Sequence, residues 1–358
     1  MRRLRHNSSG AVLLVVLWTL LILSVLAVSL GRNASIELSL VKYALAKAKS
    51  KYLAWAGIIY AIDQIQQDSG DPVSNQQDTL YDCAVPSHQG KTPEELFKEQ
   101  TLLDGYFTVQ HFEKNAAPAA PKTFYGLRDE ERKINVNALT PENVMILSAL
   151  LADLGSDEGI AQTIAFSVLD WKDEDDTIGK EGYGVEDAYY MGLDNPYHCK
   201  NRPLDSKEEL LLVKGMTPEI FDQVKDFVTI FPQRGNLKIN LDTVSEKVLR
   251  AAAGAFSGSP TNTESSDADS LVRKMLEYRR GEDGEESTAD DRLIDLNPMA
   301  LNAKETVLFL MVSQFQTRRS DYIHIQSHGV EQNRDVRTQI DAIVSRDDLS
   351  IHYWHRDY

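Results

Sequence analysis

The residues best suited to chemistry lie between Asp170 and Asp187. There Asp170, Asp173, Glu174, Asp175, Asp176, Glu181, Glu186 and Asp187 meet only Lys172 and Lys180. Gly179, Gly182 and Gly184 let such a loop turn its alternate carboxylates toward one point, and hard cations such as Ca²⁺ take several oxygen ligands of that kind. The expected ligands of a structural Ca²⁺ are therefore Asp170, Asp173, Asp175, Asp176, Glu186 and Asp187. The spacing around Asp173, Asp175 and Gly179 is not that of an EF-hand.

Other candidate chemistry is thin. The run Leu210-Leu211-Leu212-Val213-Lys214-Gly215-Met216-Thr217-Pro218 has the form of a helix-hairpin-helix, which in nucleic-acid binders offers backbone N–H groups and lysines to a phosphate. Here Lys207, Lys214 and Lys225 are outnumbered by Glu208, Glu209, Glu219, Asp222 and Asp226, so the motif reads as a structural joint. No HExxH, Gly-x-Ser-x-Gly or Walker-type loop is present, and the histidines are scattered, so the chain reads as a non-enzyme. The whole chain, with 54 acidic against 38 basic residues and a net charge of −16, repels nucleic acid and suits a cation or a basic protein face. The only two cysteines, Cys83 and Cys199, could form a disulfide or remain two thiols, since sequence does not give their separation.

The elements that position these residues begin with a membrane-length helix. Arg2, Arg3 and Arg5 precede Ser8-Ser9-Gly10, and then AVLLVVLWTLLILSVLAVSL runs for 20 uncharged residues, about 30 Å as an α-helix. The basic leader places the N-terminus in the cytoplasm and the rest of the chain beyond the membrane. Ala27-Val28-Ser29 could instead end a secretory signal, but apolar residues continue at helical spacing to Gln67 without a proline. One helix of more than 50 residues is implied. Thr92-Pro93-Glu94-Glu95 then opens a short helix, Tyr106 to Phe112 and Phe124 to Leu127 read as strands, and Ala116 to Pro121 as the loop between them. A helical region follows from Asn135 to Gln316. It holds a weak repeat, Lys133-Ile134-Asn135-Val136-Asn137 against Lys238-Ile239-Asn240-Leu241-Asp242, with a third echo at Leu293 to Asn297. Gly258 to Ser270 and Gly281 to Asp291 read as polar, acidic loops, and alternating strands return at Tyr322 to Val330 and Val336 to Arg346.

A basic leader ending in glycine, a spanning segment and an amphipathic continuation resemble the N-terminus of type IV pilins and type II secretion pseudopilins. The resemblance implies cleavage by a prepilin peptidase between Gly10 and Ala11 and N-methylation of Ala11. The fifth residue after that cut is usually Glu; this chain has Val15. Its absence, a chain far longer than most pseudopilins and an aspartate-rich loop in the inserted region together resemble the minor pseudopilin K family, whose loop binds calcium. The closing segment Ile351-His352-Tyr353-Trp354-His355-Arg356 also resembles that family's.

The resemblance implies an α+β fold, with a long N-terminal helix on a small antiparallel sheet and a large inserted helical domain. Its divisions would be leader 1–10, transmembrane part 11–31, pilin-like domain 32–134, inserted domain 135–316 and C-terminal strands 317–358. It further implies single-pass insertion in the inner membrane with the C-terminal mass in the periplasm. The partners would be minor pseudopilins of the I and J types and the pseudopilus filament, with a place at the filament tip and a role in starting the assembly that exports folded proteins. A signal-anchored periplasmic calcium-dependent hydrolase or binding protein is the alternative.

Overall fold

The computed structural model describes residues 9–71, 76–85, 90–113, 122–258 and 261–357. Most of the leader, Met1 to Ser8, and the loop read at Ala116 to Pro121 lie outside them. Helix α1 (Ser9–Ser69) is continuous for 61 residues and contains both Gly10 and Ala11. Its apolar first half is long enough to cross a membrane and touches nothing: Val12, Leu17, Trp18 and Leu23 are each more than 60% exposed. In water that surface would be strongly unfavourable; in hydrocarbon it needs no protein cover. From Ala46 onward one face turns inward, with Leu53, Ala54, Ile58, Ala61 and Ile65 buried. Each fully buried Leu or Ile there contributes about 1.5–3 kcal/mol.

After α1 come α2 (Pro93–Phe97), opened by the Thr92/Glu95 capping box, and strands β1 (Gln100–Leu102), β2 (Gly105–Glu113), β3 (Lys122–Tyr125) and β4 (Arg128–Asp129). The chain then leaves the sheet through β5 (Ile134–Asn135) for the helices α3 (Met145–Asp153), α4 (Glu158–Lys172), α5 (Asp187–Met191) and α6 (Pro218–Val224). Short strands β6 (Val228–Thr229) and β7 (Ile239–Asn240) lead to α7 (Glu246–Ala255), α8 (Ser265–Arg279), α9 (Ala303–Ser313) and β8 (Gln316–Thr317). The sheet resumes with β9 (Tyr322–Glu331), β10 (Val336–Ser345) and β11 (Ile351–Arg356). Its order is β1-β2-β9-β10-β11, antiparallel, with β3 also on β2 and β4 also on β9. Strand β9 is thus central although it follows the helical region in sequence.

Helix α1 lies directly on β9. A Cβ built on Gly329 would stand 2.2 Å from Ala54 N and Ser50 O, so only hydrogen fits between strand and helix there. Two apolar cores result, one under α1 that includes Ile58, Val109, Ile325 and Ile340, and one within the helical region that includes Ile134, Ile164, Leu249 and Leu271.

The two leading copies of the repeat are structurally equivalent. β5 pairs in parallel with β6, and β7 with β8, and in each copy the Asn side chain accepts the N–H two residues on, at 2.9 Å for Asn135 and 3.0 Å for Asn240. The third copy makes no strand; Ile294 N–H instead donates to the second copy's Asp242 at 2.6 Å. Two expectations are corrected. Ser265 to Ser270 is not loop but the start of α8, because Glu264 and Asp267 form a capping box in an otherwise loop-like composition. Cys83 and Cys199 are free thiols, because Cys83 lies in the core under α1 and Cys199 in the helical core.

Candidate metal centre

Asp157 caps α4 by accepting the N–H of Gly159 at 2.9 Å, and the helix then buries Ser167, Asp170 and Trp171 on one face. At its end Lys172 donates to the carbonyls of Asn137 and Leu139 at 3.2 and 2.7 Å, tying the loop's first anchor to the domain entrance. Beneath the loop Trp171, Tyr190 and Tyr197 pack edge-on or tilted, with centroids 5.0 to 6.1 Å apart.

The loop closes around Asp170. Gly179 N–H donates to its Oδ1 at 2.9 Å, and a Cβ on Gly184 would fall 2.1 Å from its Oδ2. Above it Asp173, Asp175 and Glu186 bring one carboxylate oxygen each within 4.8 Å of one another, the one such group of metal-binding side chains among the described residues. Asp170 Oδ2, Asp173 Oδ1 and both oxygens of Glu186 are buried with no protein donor.

Buried anionic oxygens without partners are costly, and the electrostatics register it. Burial, then the charges of Asp170 and Asp175, raise Asp173 to about 6; burial, then the surrounding aspartates, raise Glu186 to about 7; burial raises Asp170 to about 6. A divalent cation would remove that cost. The donor set is all oxygen and all carboxylate, which suits a hard ion such as Ca²⁺ and not a thiolate- or imidazole-seeking metal.

Of the six residues expected from sequence, the fold gathers Asp173, Asp175 and Glu186, with Asp170 directly under them. Asp176 is exposed beside the cluster. Asp187 is turned away: its carboxylate accepts from Cys199 N–H at 2.8 Å and contacts His198 Nδ1 at 3.1 Å, which hold it below the usual carboxylate range. It ties the start of α5 to the segment at His198 and Cys199 and lies outside the group formed by Asp173, Asp175 and Glu186. That tie was not visible in sequence, because its partners lie 11 and 12 residues away. The hairpin at Lys214-Gly215 is a structural joint that buries Leu210, Val213, Phe221 and Val224.

A membrane-length helix laid on an antiparallel sheet, with a helical domain that carries the carboxylate cluster set between two of the sheet's strands, defines a pilin-like fold with an insertion. Residues 132–233 match the family model "Type II secretion system (T2SS), protein K". The putative type II secretion system protein K of Escherichia coli (strain K12) is 30% identical over 165 residues, 43% of this chain and 48% of that protein. Type II secretion system protein K of Aeromonas hydrophila is 32% identical over 104 residues, 29% of this chain and 31% of that protein. Its counterpart from Klebsiella pneumoniae is 24% identical over 277 residues, 77% and 76% of the two chains. The chain thus spans about half the length of the first of these relatives and about a third of the second. A chain in the crystal structure of the GspK-GspI-GspJ complex from the enterotoxigenic Escherichia coli Type 2 Secretion System shares the fold, with a TM-score of 0.55 at 17% identity, covering 91% of this chain and 99% of that one. The similarity to type II secretion system protein K thus lies in residues 132–233 by the family model and over 29 to 77% of the chain by the individual relatives.

Proposed function

We propose that this protein is a minor pseudopilin that caps the periplasmic pseudopilus of a type II secretion system. In this reading α1 anchors it in the inner membrane, the sheet and helical domain stand in the periplasm, and it helps start the filament that moves folded proteins through the outer membrane. The carrying observation is the bare apolar half of α1 leading to a sheet with a bulky inserted domain, in a chain whose residues 132–233 match the protein K family model. Val15 supports the tip position. A buried carboxylate at that place would need the N-terminal amine of a subunit above it, and an apolar side chain needs none. The neighbour whose title names GspI and GspJ supports minor pseudopilins of the I and J types as partners. Processing by prepilin peptidase between Gly10 and Ala11, with methylation of Ala11, belongs to the same proposal.

Asp173, Asp175 and Glu186, backed by Asp170, would hold a structural Ca²⁺. Bound there, the ion supplies the positive charge that the cluster lacks and orders the loop between α4 and α5. The test of the reading is the mass of the mature N-terminus, together with co-purification of the full-length membrane form with the other minor pseudopilins. The expected product begins at N-methylated Ala11, and Gly10→Val keeps the leader and stops secretion. A mature chain that retains its leader, or begins beyond Ser29, would sink the assignment.

A further inference from the structure

The strand order β1-β2-β9-β10-β11 ends in two edge strands of unlike character. At one end β1 is three residues long, a common way to keep an edge from pairing with another chain. At the other end β11 pairs with β10 alone, carries neither proline nor lysine, and is exposed from Ile351 to His355. Its register shift lies at Ile343/Val344, so the ladder is regular from Tyr353 to Arg356. Asp357 N–H donates to the Gln339 carbonyl at 3.3 Å, which fixes the alternation of this antiparallel ladder. His355 and Tyr353 therefore turn their N–H and C=O to β10, and Trp354 turns both to the open edge.

The face of β11 that carries the Trp354 side chain borders an open apolar groove of about 410 Å³, walled by Lys51, Tyr52, Trp55, Ile340, Ile351 and Trp354. Trp55 stands edge-on to Trp354 with ring centroids 4.7 Å apart, and Trp354 is still 41% exposed. Lys47 donates to the Arg337 carbonyl and the Ser50 hydroxyl bonds that of Thr338, so α1 runs beside β10 in the same direction. Lys51 is thereby set toward Ile340, the residue opposite Arg356. It lies 6.0 Å from the ring of Tyr52 and has no carboxylate partner among the described residues. The groove thus offers aromatic surface at Trp354 and an unpaired cation two residues along the strand.

We propose that the open edge of β11 takes up an extended segment of a second protein as an added antiparallel strand. Pairing of this kind draws affinity from main-chain hydrogen bonds and specificity from alternate side chains. The residue opposite Trp354 exchanges both N–H···O=C bonds with it and points its side chain to the same face, beside the groove. An aromatic or branched apolar residue fits there. Two residues earlier, opposite Arg356, an Asp or Glu reaches Lys51. The recognised segment therefore reads acid, any residue, then a large apolar residue. A second copy of β11 does not fit, because His352 stands two residues before Trp354, where the acid is needed. The surface is built from the sheet and the upper part of α1 alone, so it is independent of the role in secretion.

The test uses the full-length chain in phosphatidylcholine nanodiscs and three end-blocked synthetic peptides. The first is Thr-Val-Glu-Thr-Phe-Thr-Val-Thr, the second has Lys in place of Glu, and the third has the first sequence with an N-methyl group on the Phe nitrogen. Binding is read by fluorescence anisotropy of the labelled peptides, and pairing by amide hydrogen exchange over residues 351–357. The Glu peptide is expected to bind at least fivefold more tightly than the Lys peptide and to slow exchange in β11. N-methylation, which removes the donor to the Trp354 carbonyl, should abolish binding. Lys51→Glu breaks no ion pair, so the fold is not at risk, and it should remove the preference for the Glu peptide. Equal binding of the Glu and Lys peptides, binding indifferent to N-methylation, or binding of none would overturn the proposal. Exchange in β11 that slows with protein concentration and without peptide would make a second copy the occupant, and would overturn it as well.

Discussion

At the residue scale the carboxylate cluster depends on a side chain that is missing. Gly184 offers no side-chain ligand, yet its lack of a Cβ lets the loop close onto Asp170. Gly184→Ala should therefore lower stability by about 1–3 kcal/mol through overpacking and weaken Ca²⁺ binding without removing a ligand. Asp173→Asn/Asp175→Asn makes the complementary change, keeping the loop's shape while removing charge. The expected outcomes are a wild-type melting temperature that rises with Ca²⁺ and falls with chelator, and a charge variant that responds to neither. Equal melting of the wild type in calcium and in chelator would count against a structural ion. The gathering of Asp173, Asp175 and Glu186 was legible in sequence because glycines among alternating acids let the chain turn them toward one point. Asp187's separate role was not, because the Cys199 N–H that captures it is fixed only by the fold.

A second residue-scale consequence concerns acid. His111 is buried, and burial followed by the nearby positive charges of Arg128 and Arg132 holds its pKa well below the usual histidine value. Unfolded, it would titrate near 6.5. Its contribution is thus fully present above that value, and is lost as pH falls below it because the unfolded chain takes up the proton more readily. Replacing His111 by Gln removes the proton linkage. The stability difference between pH 7 and pH 5, measured by urea unfolding, should be smaller in His111→Gln than in wild type. An unchanged difference would show that other groups set the acid response.

At the element scale the decisive contact is α1 on β9. The helix itself was readable from its uninterrupted apolar spacing, and the strands from their alternation. What could not be read was which strand lies under the helix, since β9 begins more than 250 residues after α1 ends. The small residues at the crossing, Gly329 against Ser50 and Ala54, are meaningful only once the two elements are paired. Gly329→Ala places a methyl into backbone on both sides and cannot be relieved by a rotamer change. It should destabilise by more than the usual overpacking cost of about 1–3 kcal/mol, or shift α1 off the sheet. The check is the urea midpoint together with near-UV dichroism, which reports the tryptophan packing of Trp55 against Trp354. The loss of α8's first turns from the sequence reading has a similar origin: Ser265 to Ser270 is compositionally a loop and becomes helix because Glu264 N–H donates to Asp267 at 2.8 Å and Ala268 and Leu271 find a core.

At the scale of the whole molecule, the two cores are joined through a polar seam as well as through apolar contacts such as Phe231 stacked on Tyr322. Arg346, just past β10, is fully buried and donates to Asp78 at 2.6 and 2.9 Å, to Asp68 at 3.1 Å and to the carbonyl of Ser320 at 3.1 Å. Asp68 closes α1, Asp78 lies in the segment after it, and Ser320 follows the exit from the helical domain, so one guanidinium ties the anchor helix to the insertion. Around it Asp129 accepts from Thr243 and Ser320 hydroxyls at 2.8 and 3.0 Å, and Asn240 N–H donates to Glu131's carbonyl at 2.9 Å. A buried ion pair contributes little net stability when compared with an apolar replacement of the whole, but removing one partner strands the other. Arg346→Met leaves two carboxylates buried without their cation and should cost about 3–5 kcal/mol. Because the loss falls on the joint and not on either core, the expected signature is more than a lower midpoint. Unfolding followed by tryptophan fluorescence, with Trp171 reporting the helical domain and Trp55 the sheet, should separate into two transitions in the variant and coincide in the wild type. A variant that unfolds in one step with both probes together would mean that apolar contacts across the seam couple the domains, and that Arg346 serves only local charge balance.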